Sequence, residues 1–217
     1  MVSIQKDVSL KNFSNYKIGG LAKYFLKISN IDELIKGLGE WQNIQQKDSG
    51  GVFILGGGTN ILISDKGFGG LVTHPNIKFI KKANGSVSVG AGVLLENLLN
   101  YCIENSLSGL EWAGGLPGTL GGAVRGNAGA FRGEIKDNIV EVASLDIKTL
   151  KIKKRSLKDC KFEYRSSVFK SPLRQSFSEA SQSEKESKSQ REKELIISAT
   201  LKLTKGDKID IKNQINE

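Results

Sequence analysis

The sequence predicts a fold of mixed strands and helices organised around glycine-rich loops. Three observations point there. A strand, a helix and a second strand follow one another between Ala22 and Leu55, and the second strand runs straight into three glycines. A hairpin dipeptide, Asn84-Gly85, separates two short alternating segments. A second glycine-rich stretch precedes a run of further strands.

The first strand is "AKYFLKIS" (Ala22–Ser29), rich in aromatic and branched residues. In the helix that follows, Ile31, Leu34, Ile35, Leu38 and Trp41 recur at helical spacing. Asn30 with Glu33 forms a capping box at its start. Gly37 and Gly39 weaken the helix and leave its end open. "GVFIL" (Gly51–Leu55) is the next strand, and such a strand–helix–strand unit normally makes a parallel pair. "NILIS" (Asn60–Ser64) also reads as strand, before a Gly-Phe-Gly-Gly turn, another strand and a break at Pro75. Ile77–Gly92 is the hairpin. Val93–Gly109 places Leu94, Leu95, Leu98, Leu99, Cys102 and Ile103 on one apolar helical face.

Gly114–Gly133 holds eight glycines in twenty residues, interleaved with Ala, Val, Leu and Phe. A flexible linker would be polar and serine-rich, so this stretch reads as ordered. Ile139–Leu157 reads as two strands and Leu195–Leu203 as a third. Between them, Ser171–Glu194 carries seven serines, five positive and five negative charges. It reads as a solvated excursion, with a polar helix as the alternative.

Hydrophobic residues make up 38% and charged residues 25% of the 217, which suits a globular chain. No apolar run is long enough for a membrane helix, and "MVSIQKDVSL" has no apolar leader core, so a cytoplasmic location and no membrane partner are expected. The net charge of +9 would suit a phosphate-bearing ligand. Its cations are dispersed, no aromatic platform accompanies them, and "KIKKR" (Lys151–Arg155) alternates like a solvated strand, so no nucleic-acid partner is expected. Cys102 and Cys160 lie far apart without metal-ligand spacing. The single histidine, His74, reads as a surface residue.

"LGGGTNILISD" (Leu55–Asp65) has three glycines after a strand, which can offer consecutive N–H groups to an anion. No Lys-Ser/Thr follows, and no helix, so it is neither a Walker loop nor a GxGxxG turn. A tight structural turn is the other reading. Two ordered glycine loops could grip one long ligand, such as a dinucleotide, from two sides.

With these segments together, the chain resembles the bacterial UDP-N-acetylenolpyruvoylglucosamine reductases, or UDP-N-acetylmuramate dehydrogenases. "SNYKIGG" (Ser14–Gly20), "LGGGTNILISDKGFGGLV" (Leu55–Val72), "GLEWAGGLPGTLGGAVRGNAGAFRGEI" (Gly109–Ile135), "DCKFEYRSSVFK" (Asp159–Lys170) and "IISATLKL" carry the likeness, over about residues 11–205. The resemblance implies an α+β, two-subdomain FAD-binding fold of the PCMH/vanillyl-alcohol-oxidase type. Residues 1–75 would form subdomain one. Residues 76–217 would form subdomain two, with the 171–194 insertion.

It further implies FAD held by Gly56, Gly57, Gly58, Thr59 and Asn60 at the pyrophosphate. Gly114, Pro117, Gly118, Thr119, Gly121 and Gly122 would approach from the other side, and Asn127 and Gly129 would border the flavin ring. NADPH and UDP-N-acetylglucosamine enolpyruvate are the implied reactants, in peptidoglycan precursor synthesis. Arg165 is the implied catalytic cation and Tyr164 a substrate-site neighbour. The family's third domain, with its serine proton donor, has no counterpart before Glu217. A second chain supplying that domain is therefore one expectation. An FAD-binding module without full turnover is the alternative function.

Overall fold

The computed structural model describes residues 3–46, 48, 50–83, 85–170 and 194–216. The excursion lies outside them up to residue 193, as does Asn84 of the hairpin turn.

The chain opens with β1 (Gln5–Ser9) and β2 (Leu21–Ile28), then α1 (Ile31–Gln45), β3 (Val52–Ile54) and β4 (Phe68–Pro75). These strands form one sheet in the order β1-β2-β4-β3. β1 is antiparallel to β2, while β2 and β3 are both parallel to β4. The expected parallel pair across α1 is thus opened by β4, which inserts between its two strands. That insertion also explains "NILIS". Ile61 and Ile63 pack against the cluster of Leu10, Ala22, Phe25, Leu55 and Val72, while Leu62 is 74% exposed. The alternation is real, but β2 and β3 already occupy both edges of β4, and residues 61–64 form no strand.

α1 starts where Asn30 accepts the Glu33 N–H at 2.9 Å. Glu33 reaches back one residue further than a reciprocal box requires, to the Ser29 N–H at 2.7 Å. The helix continues through both glycines. Its buried Leu34, Leu38 and Trp41 share one cluster with Leu26, Ile28 and Leu71 of the first sheet and with Leu145, Leu195 and Ile197 beyond it.

The second half runs β5 (Ile80–Ala83), β6 (Ser86–Gly90), α2 (Leu95–Glu104), a short β7 (Leu107–Ser108), α3 (Leu120–Gly126) and the hairpin β8 (Gly129–Ala130) with β9 (Gly133–Glu134). Then come β10 (Ile139–Asp146), β11 (Ile152–Ser156), β12 (Glu194–Lys202), β13 (Thr204–Lys205) and α4 (Lys208–Asn216). Five of these strands form an antiparallel sheet in the order β11-β10-β12-β6-β5. α2 and α3 cover it, burying Leu95, Leu98, Leu99, Cys102, Leu120 and Val124 against Val87, Val142 and Leu201. Burial pushes the Cys102 thiol up to about 12, so this cysteine is an inert core residue. α1 also ties the two halves through Gln42 Nε2, which donates to the Ile147 carbonyl at 3.1 Å and the Lys148 carbonyl at 2.9 Å. Among the described residues no helix is long and apolar enough to cross a membrane.

Candidate functional site

The first glycine loop leaves β3 and immediately meets the second one. A Cβ built on Gly57 would stand 3.1 Å from the Gly118 Cα, and one on Gly56 would stand 3.1 Å from Thr119 Oγ1. Thr59 Oγ1 donates to the Pro117 carbonyl at 3.5 Å. Side chains at Gly56 or Gly57 would therefore separate the loops. Gly58 is required by the chain itself. Its φ is +67°, its carbonyl accepts the Asn15 N–H at 3.0 Å, and a Cβ would collide with the Phe13 carbonyl.

What the loops leave open matters more than what they close. Among the described residues, no acceptor takes the backbone N–H of Gly56, Gly57, Gly58, Thr59, Asn60, Gly118 or Thr119. Seven main-chain donors without a protein acceptor, in two touching glycine loops, can cradle an anion. This donor set fits the pyrophosphate of a dinucleotide. Gly121 and Gly122 behave differently. The Gly121 N–H donates to the Ala91 carbonyl at 2.9 Å, and the Gly122 N–H to Thr119 Oγ1, the N-cap of α3, at 3.4 Å. Gly114 is a close-approach glycine, its Cβ position filled by the backbone of Ile215 in α4.

A cleft of about 240 Å³ adjoins the cradle, lined by Asn15, Lys17, Gly56, Gly57, His74 and Thr119 among others. His74 is half-buried rather than on the surface. Its Nδ1–H donates to the Leu55 carbonyl at 2.9 Å, and its ring meets Phe13 edge-on at 5.3 Å. Nothing in the sequence around a lone histidine at a strand end signals this. The signal lies in β4 running beside the loop-bearing β3.

A second cleft, about 480 Å³, lies beyond α3. Gly129, Tyr164 and Arg165 line it, together with Phe131, Arg132 and Glu134, which the sequence reading did not select. Two tight turns face it. Phe131-Arg132 joins β8 to β9, and Tyr164-Arg165 joins the mutually hydrogen-bonded Glu163 and Ser166 at 3.0 and 3.1 Å. Phe131, Arg132 and Arg165 have φ of 47°, 68° and 51°. Left-handed backbone at bulky residues costs energy, and strain of this kind gathers at functional sites. Phe131 and Tyr164 are 81% and 84% exposed, and the Arg165 guanidinium lies 5.9 Å from the Tyr164 ring.

The signature around Arg165 is a mounting for that turn. Cys160 and Phe169 are buried, Ser167 Oγ donates to the Arg125 carbonyl at 2.7 Å, and Tyr164 and Arg165 are exposed. Asn127 secures the turn from below. It is fully buried at the left-handed C-cap of α3, donates from Nδ2 to the Glu163 carbonyl at 3.0 Å and accepts the Lys136 N–H at 3.3 Å. Its side chain is thus committed to protein partners. Glu134 pairs with Lys136, which holds its carboxyl below the usual range, and Arg165 adds to the effect. Among the described residues no cluster of His, Cys, Asp and Glu could hold a metal ion.

Residues 40–149 match the family model of the FAD binding domain. The UDP-N-acetylenolpyruvoylglucosamine reductase of Caldicellulosiruptor saccharolyticus is 40% identical over 170 residues, covering 78% of this chain and 53% of that protein. The enzyme of the same description from Prochlorococcus marinus strain NATL2A is 34% identical, covering 100% of this chain and 67% of that one. The crystal structure of UDP-N-acetylenolpyruvylglucosamine reductase from Thermus caldophilus superposes with a TM-score of 0.74 at 24% identity, covering 99% of this chain and 67% of that one, a likeness of fold. The chain thus spans about half to two thirds of the relatives it matches. On this evidence the chain belongs to the UDP-N-acetylenolpyruvoylglucosamine reductase family and carries its FAD-binding domain.

Proposed function

We propose that the chain binds FAD and takes part in the NADPH-dependent reduction of UDP-N-acetylglucosamine enolpyruvate to UDP-N-acetylmuramate, in peptidoglycan precursor synthesis in the cytoplasm. The observation that carries this is the meeting of two glycine loops that together hold seven backbone N–H groups without a protein acceptor among the described residues. Gly56, Gly57, Gly58, Thr59, Asn60, Gly118 and Thr119 would hold the pyrophosphate through those groups. When bound, FAD supplies hydride acceptance and donation.

The chain's own contribution to the reaction lies in the second cleft. Arg165 would receive the substrate carboxylate on its planar fork and stabilise the negative charge that develops there as the double bond is reduced. Its turn is fixed in advance by Asn127 and Ser167, so little rearrangement is needed when charge appears. Tyr164 would cover one side of the bound substrate. Gly129 keeps β8 close to β9 beside the same cleft, where a Cβ would stand 2.7 Å from the Gly133 carbonyl.

The test is the visible spectrum of the purified chain with FAD, followed by anaerobic NADPH with and without the UDP sugar. Bleaching by NADPH and recovery only with the sugar is expected. Absence of a flavin band after FAD is supplied would end the cofactor reading. Bleaching without sugar-dependent recovery would leave a flavin-binding module that does not turn over.

A further inference from the structure

The sole histidine lies beside the pyrophosphate cradle and faces a cleft. Its Nδ1 is 2.9 Å from the Leu55 carbonyl, an atom that can only accept. The proton therefore sits on Nδ1, and in the neutral ring Nε2 carries a lone pair. The Leu55 hydrogen bond fixes the ring, and the Gly56 backbone also touches it. The ring cannot easily turn away, because Phe13 meets it at 5.3 Å and Phe25 at 6.4 Å. The cleft also holds the cations Lys17 and Lys78 and the amide of Asn76.

The order of the two clefts says which part of a dinucleotide would meet it. Gly56, Gly57 and Thr119 of the cradle line the cleft with His74, while Tyr164 and Arg165 line the other. With a pyrophosphate in the cradle and the reacting ring directed to the arginine cleft, the adenosine half falls beside His74. Adenosine offers N–H and O–H donors, from its amine and its ribose hydroxyls.

We infer that His74 Nε2 accepts a hydrogen bond from the adenosine half of FAD and so makes the chain select FAD over FMN. This inference rests on the proposed flavin site and assigns the cofactor specificity within it. The charged groups around the ring are Lys27 on β2, Lys78 after β4 and Lys17 from the N-terminal segment. All are cations, and together with burial they favour the neutral ring. Burial, followed by Lys27 and Lys78, lowers the imidazole from its ordinary value, against the opposing Leu55 and Gly56 backbone contacts. Nε2 therefore stays an acceptor at neutral pH and becomes a donor only in acid.

The experiment is a fluorescence titration of the apo chain with FAD and, separately, with FMN, for the native protein, His74→Leu and His74→Gln. Leucine should weaken FAD about tenfold, the size of one hydrogen bond, and leave FMN unchanged. Glutamine, which can donate and accept, should restore part of the preference. In the native chain FAD affinity should be flat near pH 7 and fall below pH 6, and FMN affinity should not follow. Equal loss of FAD and FMN affinity in His74→Leu would overturn the inference and leave His74 a support for the Leu55 carbonyl. If the native chain bound neither flavin, the flavin site itself would fail, a result that needs no variant to read.

Discussion

Asn127 does two jobs with one small side chain. It ends α3 in the left-handed region, at φ 43° and ψ 59°, and it joins α3 to the Tyr164-Arg165 turn and to the segment after β9. Asparagine tolerates that backbone better than most residues. Asn127→Ala keeps the strain and leaves the Glu163 carbonyl and Lys136 N–H without their partner. It should cost about 2–4 kcal/mol, read as a shift in the urea midpoint. Arg165 is the opposite case. Its side chain is exposed and makes no ion pair among the described residues, so Arg165→Gln should change stability by less than about 0.5 kcal/mol. The same change should slow sugar-dependent flavin reoxidation by about 10²–10³-fold, since the developing charge loses its cation. An Arg165→Gln protein that unfolds early would contradict the first statement, and one that reoxidises at the native rate would contradict the second. The sequence singled out Arg165 for the proposed role because its motif is local. It could not show that Asn127 serves the arginine turn from 36 residues away.

Two glycines two residues apart in α1 make opposite demands on a methyl group. A Cβ on Gly37 would stand 2.5 Å from Leu26 Cδ2 in the core, whereas one on Gly39 meets only Leu150 Cδ1, at 3.8 Å. Gly39→Ala should therefore raise stability by about 0.5–1 kcal/mol through helix propensity. Gly37→Ala should lower it by about 1–3 kcal/mol through overpacking. Paired urea melts would settle both signs. The β8–β9 turn gives a second case. A two-residue hairpin with both central φ values positive favours Asn-Gly, and here it holds Phe131-Arg132. Replacing the pair by Asn-Gly should stabilise the chain by about 1–2 kcal/mol. At this scale the periodic elements were legible: β2, α1, α2, β10 and β12 follow their apolar patterns, and β11 is the solvated strand that its lysines suggested. α3 was not, since Leu120–Gly126 holds three glycines and takes its place from Thr119 and from packing on Ala91. α4 was not either, because Lys208–Asn216 buries little beyond Ile211 and its apolar pattern is weak. The insertion of β4 between β2 and β3 depends on tertiary pairing that a linear pattern does not encode.

For the molecule as a whole, β12 is the strand on which the second sheet depends, since it pairs with β10 on one side and β6 on the other. It enters the sheet at Glu194, which the sequence reading counts as the last residue of the excursion and which belongs to the strand. There Arg155 of β11 grips the carboxylate through Nη2 at 2.6 Å and Nε at 3.2 Å, and Ser144 Oγ of β10 donates at 2.8 Å. Lys153 bridges Glu194 at 3.3 Å and Asp146 at 2.7 Å. The cluster thus ties three adjacent strands at one end. Burial pushes the Glu194 carboxyl up, but Arg155, Ser144 and Lys153 outweigh it and hold the group below its usual value. Lys153, with the Thr149 N–H, brings Asp146 down to about 2. Both folded values lie below the unfolded ones, near 4. Each carboxylate therefore stabilises the fold above pH 4, and its contribution is lost as pH falls through the folded value. Glu194→Gln should cost about 1–2 kcal/mol at pH 7, limited by partial contact with water. That deficit should shrink as the native Glu194 is protonated below pH 4. Asp146 is held at about 2, so Asp146→Asn should still show a deficit at pH 3, which closes only near pH 2. Urea midpoints of the native chain and both variants at pH 7, 3 and 2 separate the two groups. A Glu194→Gln deficit that stayed constant down to pH 2 would mean that the amide disturbs packing, and that the ion cluster does not hold β12 in place.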